Sequence, residues 1–582
     1  MVGVIKKYWL ILNIKQKVWF IVILGLMVIG AIGETLGVSL IVPLITSVVD
    51  PKFYLTNKYA IMACSVLNIH SARTFMIAIL VGLVIIYLTK NLFLFIEYYV
   101  QAKYTCNTRL MIQKEILHSY MQRPYEYYLN VNSGEIVRII NSDTVGAFEV
   151  LKNTMMFLTE VIVAFMLVAA IVVVDYVMAS FIVLILILEM IVIYKVIKPM
   201  LQKAGAQKQE SGSQANKWLL QAIDGIKDVK VAKKEVYFEK QYGYYATKQV
   251  QSERKNIVWE MGPRLIIEAI TISAALLAVI GLILLGRDID SLMPTLAAFA
   301  VAAVRLLPSA NRISAALNSV AYYEPSLDKL VECILTVRKM KENTNSDINT
   351  KGNPNYNVTL NRECELRNIT FSYPGAICNV LENATLQIPV GKSIGIIGNS
   401  GAGKTTVVDI LLGLLTAKQG EILSDGQNIF KNYTSWLEKI SYIPQSIFLL
   451  DDSICANVAF GIPQESVDES KVWKALKEAH LEDVVANLPN GLETTIGERG
   501  IRLSGGQRQR IGIARALYTD PELLIFDEAT SALDNDTESA IMESINALHG
   551  KKTMVIIAHR LTTIEGCDMV YRVENGKIER ER

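Results

Sequence analysis

Residues 393–406 read SIGIIGNSGAGKTT, a short β-branched run that leads into a glycine-rich loop. The run is typical of a buried parallel strand, and the apolar spacing from Val407 to Leu414 predicts a helix after the loop. GxxxxGK[ST] between a strand and a helix is the pattern of a loop whose backbone amides cradle phosphates. The sequence therefore predicts a nucleotide-binding loop formed by Gly398, Asn399, Ser400, Gly401, Ala402, Gly403, Lys404, Thr405 and Thr406. The Lys404 ammonium would reach the β- and γ-phosphates, and the Thr405 hydroxyl would ligate Mg²⁺.

A second apolar run, LLIFDE at 523–528, ends in two acidic residues. Adjacent carboxylates at a strand end are usually solvated, but this pair follows a buried-strand pattern in a chain that also carries a phosphate loop. Asp527 is placed to hold Mg²⁺. Glu528 is the candidate for orienting and deprotonating the attacking water, which is a general-base role. Together the two motifs predict an enzyme that hydrolyses ATP with Mg²⁺ as its cofactor.

Between these motifs lies LSGGQ at 503–507, followed by an amphipathic helical pattern over 508–517. The serine hydroxyl and the glycine amides at the start of that helix form another anion-binding element. A second phosphate-binding element in one domain is expected only if it serves a second nucleotide surface. We therefore expect further nucleotide contacts from Ser504, Gly505, Gly506 and Gln507.

Long apolar stretches are confined to the first part of the 582-residue chain, of which 51% is hydrophobic. A helix that crosses about 30 Å of hydrocarbon needs roughly 20 apolar residues. Six stretches reach that length, near 18–49, 74–102, 150–174, 178–199, 256–286 and 290–317. Lysine and arginine are concentrated between the second and third stretches and between the fourth and fifth. This distribution predicts that both of those loops and both termini are cytoplasmic.

The fold class predicted from these patterns is a membrane all-α domain of six transmembrane helices joined to an α/β P-loop ATPase domain. The transmembrane domain would occupy 1–324, a helix and polar linker 325–357, and the nucleotide-binding domain 358–582. The linker includes NTNSDINTKGNPNYN at 343–357, which has too few apolar residues to fold by itself. On the outer side, the segment 50–72 fits either a short amphipathic helix at the membrane interface or a surface loop.

Charge and cysteine content argue against several classes of protein. The net charge of +2 predicts no nucleic-acid partner. The seven cysteines are scattered without a CxxC pair or a Cys/His cluster, so we expect no cysteine metal site and a mostly reducing compartment. The basic N-terminus leads into an apolar run that is too long for a signal peptide, which favours a first membrane helix that is retained.

In their order along the chain, these motifs resemble those of ABC exporter half-transporters, and the resemblance covers nearly the whole length. It implies a homodimer in which the Ser504 segment of one subunit closes over ATP held by the phosphate loop of the other. It also implies that Tyr373 in FSYP stacks on adenine and that Gln445 in IPQ senses and ligates Mg²⁺. Asp534 in SALD matches the loop that lies between the two ATP sites of the dimer. His559 in IAHR matches the histidine of that family that acts as a switch at the γ-phosphate.

Two stretches of the cytoplasmic loops resemble the coupling helices of that family, which dock on the ATPase near Gln445. They are 125–130 with 133–135, and 222–233. Their presence favours alternating access by rigid-body movement of the membrane helices. The alternative is that both are solvated basic helices.

Charged residues inside membrane segments are costly and usually functional. Four basic residues would give an otherwise apolar domain a cationic lining that suits an anionic headgroup such as a pyrophosphate. These residues are Lys90, Arg264, Arg305 and Arg312. The alternative is that these cations pair internally with Glu97 and Glu268.

The membrane domain is similar to the bacterial PglK-type flippases of lipid-linked oligosaccharides. The similarity rests on GETLGVSLIVPL at 33–44, the outer segment 50–72, GIKDVK at 225–230 and RLLPSANR at 305–312. It implies an ATP-driven flippase that moves a polyprenyl-pyrophosphate-linked oligosaccharide outward across a bacterial inner membrane. Lys90 stands where that pattern leads us to expect an arginine. A lysine keeps the positive charge but cannot bind two oxygens of a phosphate in a bidentate manner as an arginine does.

Two other functions are also compatible with the sequence. One is an exporter of drugs, lipids or peptides on the same scaffold. The other is an ATP-gated channel or regulator without net pumping, which the presence of both Glu528 and His559 disfavours.

Overall fold

The computed structural model describes residues 1–39, 55, 58–67, 71–131, 133–174, 187, 190–284, 289–346, 356–528, 535–558 and 564–582. The chain divides into two compact units. The first consists of Met1–Arg123 and Val131–Met340, and the second of Pro124–Asn130 and Lys341–Arg582. In the described residues the first unit is helical, whereas the second combines short helices with two β-sheets.

Eleven α-helices lie between residues 2 and 346 in the described residues, and the last of them continues into the predicted polar linker. In chain order they are α1 (Val2–Ile11), α2 (Ile14–Ser39), α3 (Lys58–Leu67), α4 (Ala72–Met121), α5 (Tyr125–Tyr128), α6 (Ser133–Arg138), α7 (Thr144–Val174), α8 (Lys198–Asp224), α9 (Ile226–Val231), α10 (Glu235–Leu284) and α11 (Ile289–Ser346). Two π-helical turns, Ile139–Asp143 and Ile193–Ile197, lead directly into α7 and α8.

Three helices of the described chain are long and apolar enough to cross a membrane: Ile14–Gly37, Ala72–Met121 and Gly134–Ala169. They overlap the first three predicted spans; the described part of the fifth span lies in α10, and the sixth lies in α11. Half of the fourth predicted span, 178–199, lies outside the described residues. Leu88 and Phe95 are among many large apolar side chains exposed along α4, as expected where lipid is the solvent.

The segment after the first span contains a helix, α3, in its described part. Ala60 and Cys64 on α3 are buried against Phe75 at the start of α4. Of the two alternatives for 50–72, the structure therefore favours the helix, while its place at the outer interface stays a prediction.

The second unit is built on two sheets. The strands are β1 (Glu363–Phe371), β2 (Leu381–Pro389), β3 (Ser393–Ile397), β4 (Gln419–Ser424), β5 (Gln427–Asn428), β6 (Ile440–Ile443), β7 (Leu523–Asp527), β8 (Thr553–Ile557), β9 (Met569–Glu574) and β10 (Lys577–Arg580). One sheet has the order β10-β9-β3-β8-β7-β6, and all its pairings are parallel except β10 with β9. The other is antiparallel, in the order β2-β1-β4-β5.

Both faces of the six-stranded sheet are covered. Along β7, Leu523 and Ile525 belong to one hydrophobic core, whereas Leu524 and Phe526 belong to the other. Because side chains alternate across a strand, the continuous apolar run of β7 is what a doubly covered parallel strand requires. The carboxyl ends of β3, β6, β7 and β8 consequently lie at the same edge of the sheet.

Seven α-helices follow the linker in the described residues. They are α12 (Lys404–Leu411), α13 (Tyr433–Leu437), α14 (Ile454–Val458), α15 (Glu469–Glu478), α16 (Glu482–Ala486), α17 (Gly505–Tyr518) and α18 (Asn535–Leu548). Of these, α12 begins directly after the phosphate loop and α17 directly after Ser504.

Within the first unit, α8 and α11 approach each other closely at one glycine. A Cβ on Gly205 would lie 2.0 Å from the carbonyl oxygen of Tyr322 and 3.0 Å from its carbonyl carbon. Backbone atoms cannot rotate away as a side chain does, so only glycine fits here.

We expect Gly205→Ala to lower the thermal unfolding midpoint of the purified protein by several degrees, because overpacking costs about 1–3 kcal/mol. Gly243→Ala is the matched control, since nothing lies within 4 Å of a Cβ at that position of α10 and alanine is the better helix former. Equal unfolding midpoints for the wild type and Gly205→Ala would contradict the close approach.

Candidate nucleotide-binding site

The phosphate loop joins the end of β3 to the start of α12. Gly403, at φ 100°, is the N-cap of that helix, and a Cβ on Gly398 would lie 2.4 Å from the carbonyl oxygen of Val573. Both positions therefore require glycine. The Lys404 side chain is buried, and its ammonium donates to the carbonyl oxygens of Gly398 at 2.9 Å and Asn399 at 3.1 Å. The loop thus holds its cation where bound phosphates would need it.

Asp527 is the last residue of β7 and is 4% exposed. The Tyr442 hydroxyl on the adjacent strand β6 donates to Asp527 Oδ2 at 3.1 Å, and the Thr405 side chain also hydrogen-bonds to Asp527. Burial raises the pKa of Asp527, and the neighbouring Glu528 adds to that rise, while Tyr442 and Thr405 oppose it. The two hydroxyl groups therefore stabilise the ionised form that a metal ion needs.

Glu528 follows β7 in an uncommon backbone conformation, with φ of 49°. Its Oε2 accepts a hydrogen bond of 2.7 Å from Nε2 of Gln445. Gln445 comes shortly after β6, the strand that pairs with β7. The structure therefore brings the predicted general base and the predicted Mg²⁺ sensor into direct contact.

The residues at this edge of the sheet fit a magnesium ion. They provide a hydroxyl from Thr405, a carboxylate from Asp527 and an amide oxygen from Gln445, which are the hard oxygen ligands that Mg²⁺ prefers. Thr405 and Asp527 already contact each other. When bound, the ion would supply positive charge at the phosphate oxygens of ATP.

Ser504 begins α17 with a reciprocal capping arrangement. Its Oγ accepts from the backbone amide of Gln507 at 3.2 Å, and Gln507 Oε1 accepts from the amide of Ser504 at 2.9 Å. This capping box fixes the start of the helix. Ser504 and Gly505 are exposed, so their groups face outward from the unit. Such a surface can take part in binding a nucleotide held elsewhere.

Tyr373 lies beside the first turn of α12. Its hydroxyl hydrogen-bonds with Thr406 Oγ1 at 3.1 Å, and its ring packs edge-on against Phe371 with 5.2 Å between centroids. The structure thus places the predicted adenine-stacking ring next to the phosphate loop. The stacking itself stays a prediction.

Two residues of the site were missed in the sequence analysis. Tyr442 stands in SYIPQ, three positions before Gln445 and one position before the IPQ motif. Asp409 lies four residues after Thr405 on α12, so both face the same side of the helix. Burial, and secondly Asp527, raises the pKa of Asp409 to about 6. That helical spacing is the signal that points to Asp409.

Other predicted residues lie elsewhere or outside the described part of the chain. Asp534, His559 and the side chain of Arg305 fall outside it. Lys90 is 8% exposed on α4, and its ammonium lies 4.4 Å from the ring centroid of Tyr87.

The remaining two predicted substrate residues differ in their surroundings. Arg264 is exposed on α10. Arg312 on α11 forms an ion pair of 2.9 Å with Glu160, which is buried on α7, whereas the pairing hypothesis had named Glu97 and Glu268. One predicted substrate cation therefore has an internal partner.

We expect Tyr442→Phe to move the acidic limb of the ATPase pH profile toward higher pH. The phenol lowers the pKa of Asp527, so its removal raises that pKa and leaves more Asp527 protonated at a given acidic pH. The apparent KM for Mg·ATP should rise on the same limb. Tyr433→Phe is the control, because that phenol donates to the carbonyl of Leu412 instead. An unchanged pH profile in Tyr442→Phe would contradict the role of Tyr442 in lowering the pKa of Asp527.

Comparison with known proteins yields two family matches. The family described as ABC transporter transmembrane region matches residues 36–303, and the family described as ABC transporter matches residues 381–531. A solved structure, that of a bacterial Atm1-family ABC exporter with ATP bound, has a TM-score of 0.71 and 23% identity and covers 94% of both chains. It establishes likeness of fold.

Curated relatives include ATP-dependent lipid A-core flippases. That of Cupriavidus metallidurans is 42% identical over 213 residues, and that of Escherichia coli K12 is 41% identical over 218 residues. These matches span only 36% and 37% of this chain and the same shares of the two relatives. The first part of the chain is thus similar to the transmembrane region of ABC transporters, the second part is similar to the ABC transporter family, and the overall fold is that of an ABC exporter.

Proposed function

We propose that two copies of this chain form a transporter that hydrolyses ATP to move an amphipathic anionic substrate outward across a bacterial inner membrane. The substrate that we propose is a polyprenyl-pyrophosphate-linked oligosaccharide. Both termini and the ATP-binding domains would lie in the cytoplasm, and the membrane domains would alternate between inward and outward access.

The observation that carries the proposal is the contact between Gln445 and Glu528 beside the hydroxyl-bonded Asp527. A general base must lie within hydrogen-bonding reach of the water that it activates, and its carboxylate must be fixed in position. The Gln445 amide fixes Glu528 in this way. Such an arrangement supports ATP hydrolysis and not nucleotide binding alone.

Dimerisation follows from how the two phosphate-binding elements are distributed. Each chain has a single GKTT loop and a single LSGGQ segment in its sequence. Ser504 is exposed at the start of α17. In a symmetric dimer each loop can meet the partner's segment, which gives two equivalent ATP sites.

Movement of the membrane helices requires a firm attachment to the ATPase, and Glu126 offers one. The short helix α5 belongs to the second compact unit. Glu126 Oε1 accepts from the backbone amide of Thr416 at 2.6 Å, in the loop that follows α12. A carboxylate bonded to a backbone amide is a strong, oriented hydrogen bond. We assign it the role of transmitting movement of the α12 region to the segment that joins α4 to α6.

An anionic substrate is favoured by the basic residues of the membrane domain. Lys90 and Arg312 are ionisable groups within or next to predicted spans, where charge is tolerated mainly for function. The matched relatives, named as lipid A-core flippases, favour a lipid-like cargo. They also support the second candidate function, an exporter of other lipids, drugs or peptides.

The transport test uses the full chain in proteoliposomes. We expect a polyprenyl-pyrophosphate-linked oligosaccharide to stimulate ATP hydrolysis and to be translocated. Glu528→Gln should bind ATP, lose hydrolysis by at least about 100-fold and translocate nothing, because loss of a catalytic proton transfer costs about 10²–10⁴-fold. Stimulation and transport by a hydrophobic drug, with no response to the glycolipid, would favour the second candidate. Full hydrolysis by Glu528→Gln would refute the general-base role.

A separate prediction concerns Glu126. Alanine at this position removes the acceptor for the Thr416 amide, so we expect basal ATP hydrolysis within about twofold of wild type but roughly tenfold lower transport per ATP. Glu332→Ala is the matched control, since Glu332 is an exposed carboxylate on α11 that pairs with Lys329 of its own helix at 3.1 Å. Loss of transport that is equal in both variants would show that Glu126 has no special role.

A further inference from the structure

A groove of about 410 Å³ lies between α4 and α7 of the first unit. Six of the residues that line it matter for its chemistry: Tyr98, Gln101 and Arg109 from α4, and Phe148, Lys152 and Met155 from α7. None of these residues was assigned a role by the sequence analysis. The groove therefore requires its own explanation.

The groove lies at one end of the apolar spans. The second predicted span ends at 102, and α4 continues beyond it through Arg109. The third predicted span begins at 150, close to Phe148 and Lys152. The lining residues are thus at the level where a bilayer passes from hydrocarbon to headgroups, where aromatic and basic side chains are favoured.

The charges of the groove favour an anion. Lys152 pairs with Glu149 on the same helix at 3.1 Å, which neutralises that charge. None of the ion pairs among the described residues uses Arg109. Its guanidinium can bind two oxygens of a phosphate in a bidentate manner.

The walls of the groove suit an amphipathic ligand. Phe148 and Met155 are buried side chains of α7, and Tyr98 is half-exposed on α4. The phenol of Tyr98 lies within electrostatic range of Arg312 and of the carboxyl groups of Glu160, Glu97 and Glu34. The groove thus combines apolar walls with polar side chains at its rim.

We propose that this groove binds the phosphate-bearing headgroup of the transported lipid, with Arg109 as its principal cation and Tyr98 as part of its wall. The proposal rests on the proposed function, because it names a binding position for that substrate. Phosphate is the chemistry that is recognised, and it is carried by the substrate, by bulk anionic lipids and by free pyrophosphate. The experiment must separate these three sources.

The test measures binding of a polyprenyl diphosphate to the full-length protein in phosphatidylcholine nanodiscs, by native mass spectrometry. We expect Arg109→Gln to weaken binding about tenfold, since it removes a charge-assisted contact. Arg109→Lys should restore part of the loss. Lys103→Gln, an exposed cation on α4 outside the groove, should bind as the wild type does.

Competition identifies the source of the phosphate. We expect phosphatidylglycerol at equal charge and free inorganic pyrophosphate to displace the probe poorly. Displacement by either at equal concentration, equal binding by Arg109→Gln, or equal weakening by Lys103→Gln would overturn the assignment.

Flux assays keep this proposal separate from the proposed function. If the wild type binds the probe through Arg109 but does not translocate polyprenyl-linked oligosaccharide, the groove assignment stands and the proposed substrate fails. If Arg109→Gln translocates the oligosaccharide at the wild-type rate and apparent affinity, the groove assignment fails and the proposed substrate stands.

Discussion

To hold Mg²⁺ as proposed, Asp527 must stay ionised although it is buried, and the candidate nucleotide site depends on the groups that favour its charged form. Its two hydroxyl donors come from different elements, Tyr442 from β6 and Thr405 from α12. One pKa unit corresponds to about 1.4 kcal/mol, so a hydrogen bond of ordinary strength can lower the pKa of a buried carboxylate by about one unit and partly offset the effect of burial. The same bonds tie β6, β7 and α12 together at one edge of the sheet. The hydrogen bonds that favour the charged form of Asp527 therefore also hold these three elements together.

From this edge, contacts continue to the short helix that joins α4 to α6. Asp409 on α12 is close enough to Asp527 for the two carboxyl groups to influence each other. Burial raises the pKa of Tyr125 on α5, with smaller contributions from Asp409 and Tyr373. One residue further along, Glu126 is bonded to the loop after α12. A change in the position of α12 would therefore alter two things at α5: the hydrogen bond between Glu126 and Thr416, and the electrostatic influence of Asp409 on Tyr125.

Local patterns made the nucleotide site predictable, whereas contacts between distant segments did not. GNSGAGKTT, LLIFDE and LSGGQ each combine a strand or helix signal with the residues that act, so both the fold and the chemistry can be read from a few consecutive positions. The Tyr442–Asp527 bond depends on which strands are neighbours, which no short motif encodes. The Arg312–Glu160 pair likewise joins two helices that are far apart in sequence. The roles of Asp534 and His559 rest on resemblance, because both lie outside the described residues.

The Arg312–Glu160 pair also constrains how an anion could bind in the membrane domain. Glu160 is buried, so a ligand that displaced it would leave its carboxylate without the Arg312 partner and would gain little. Arg312 has further donors, however: its Nε donates to the carbonyl of Pro308 at 3.4 Å, and its side chain is 41% exposed. A guanidinium fork can keep its carboxylate and still donate to a second oxygen, which an ammonium does with less directional precision. An anion would therefore bind Arg312 as an additional partner, and the link between α7 and α11 would be preserved while it does so.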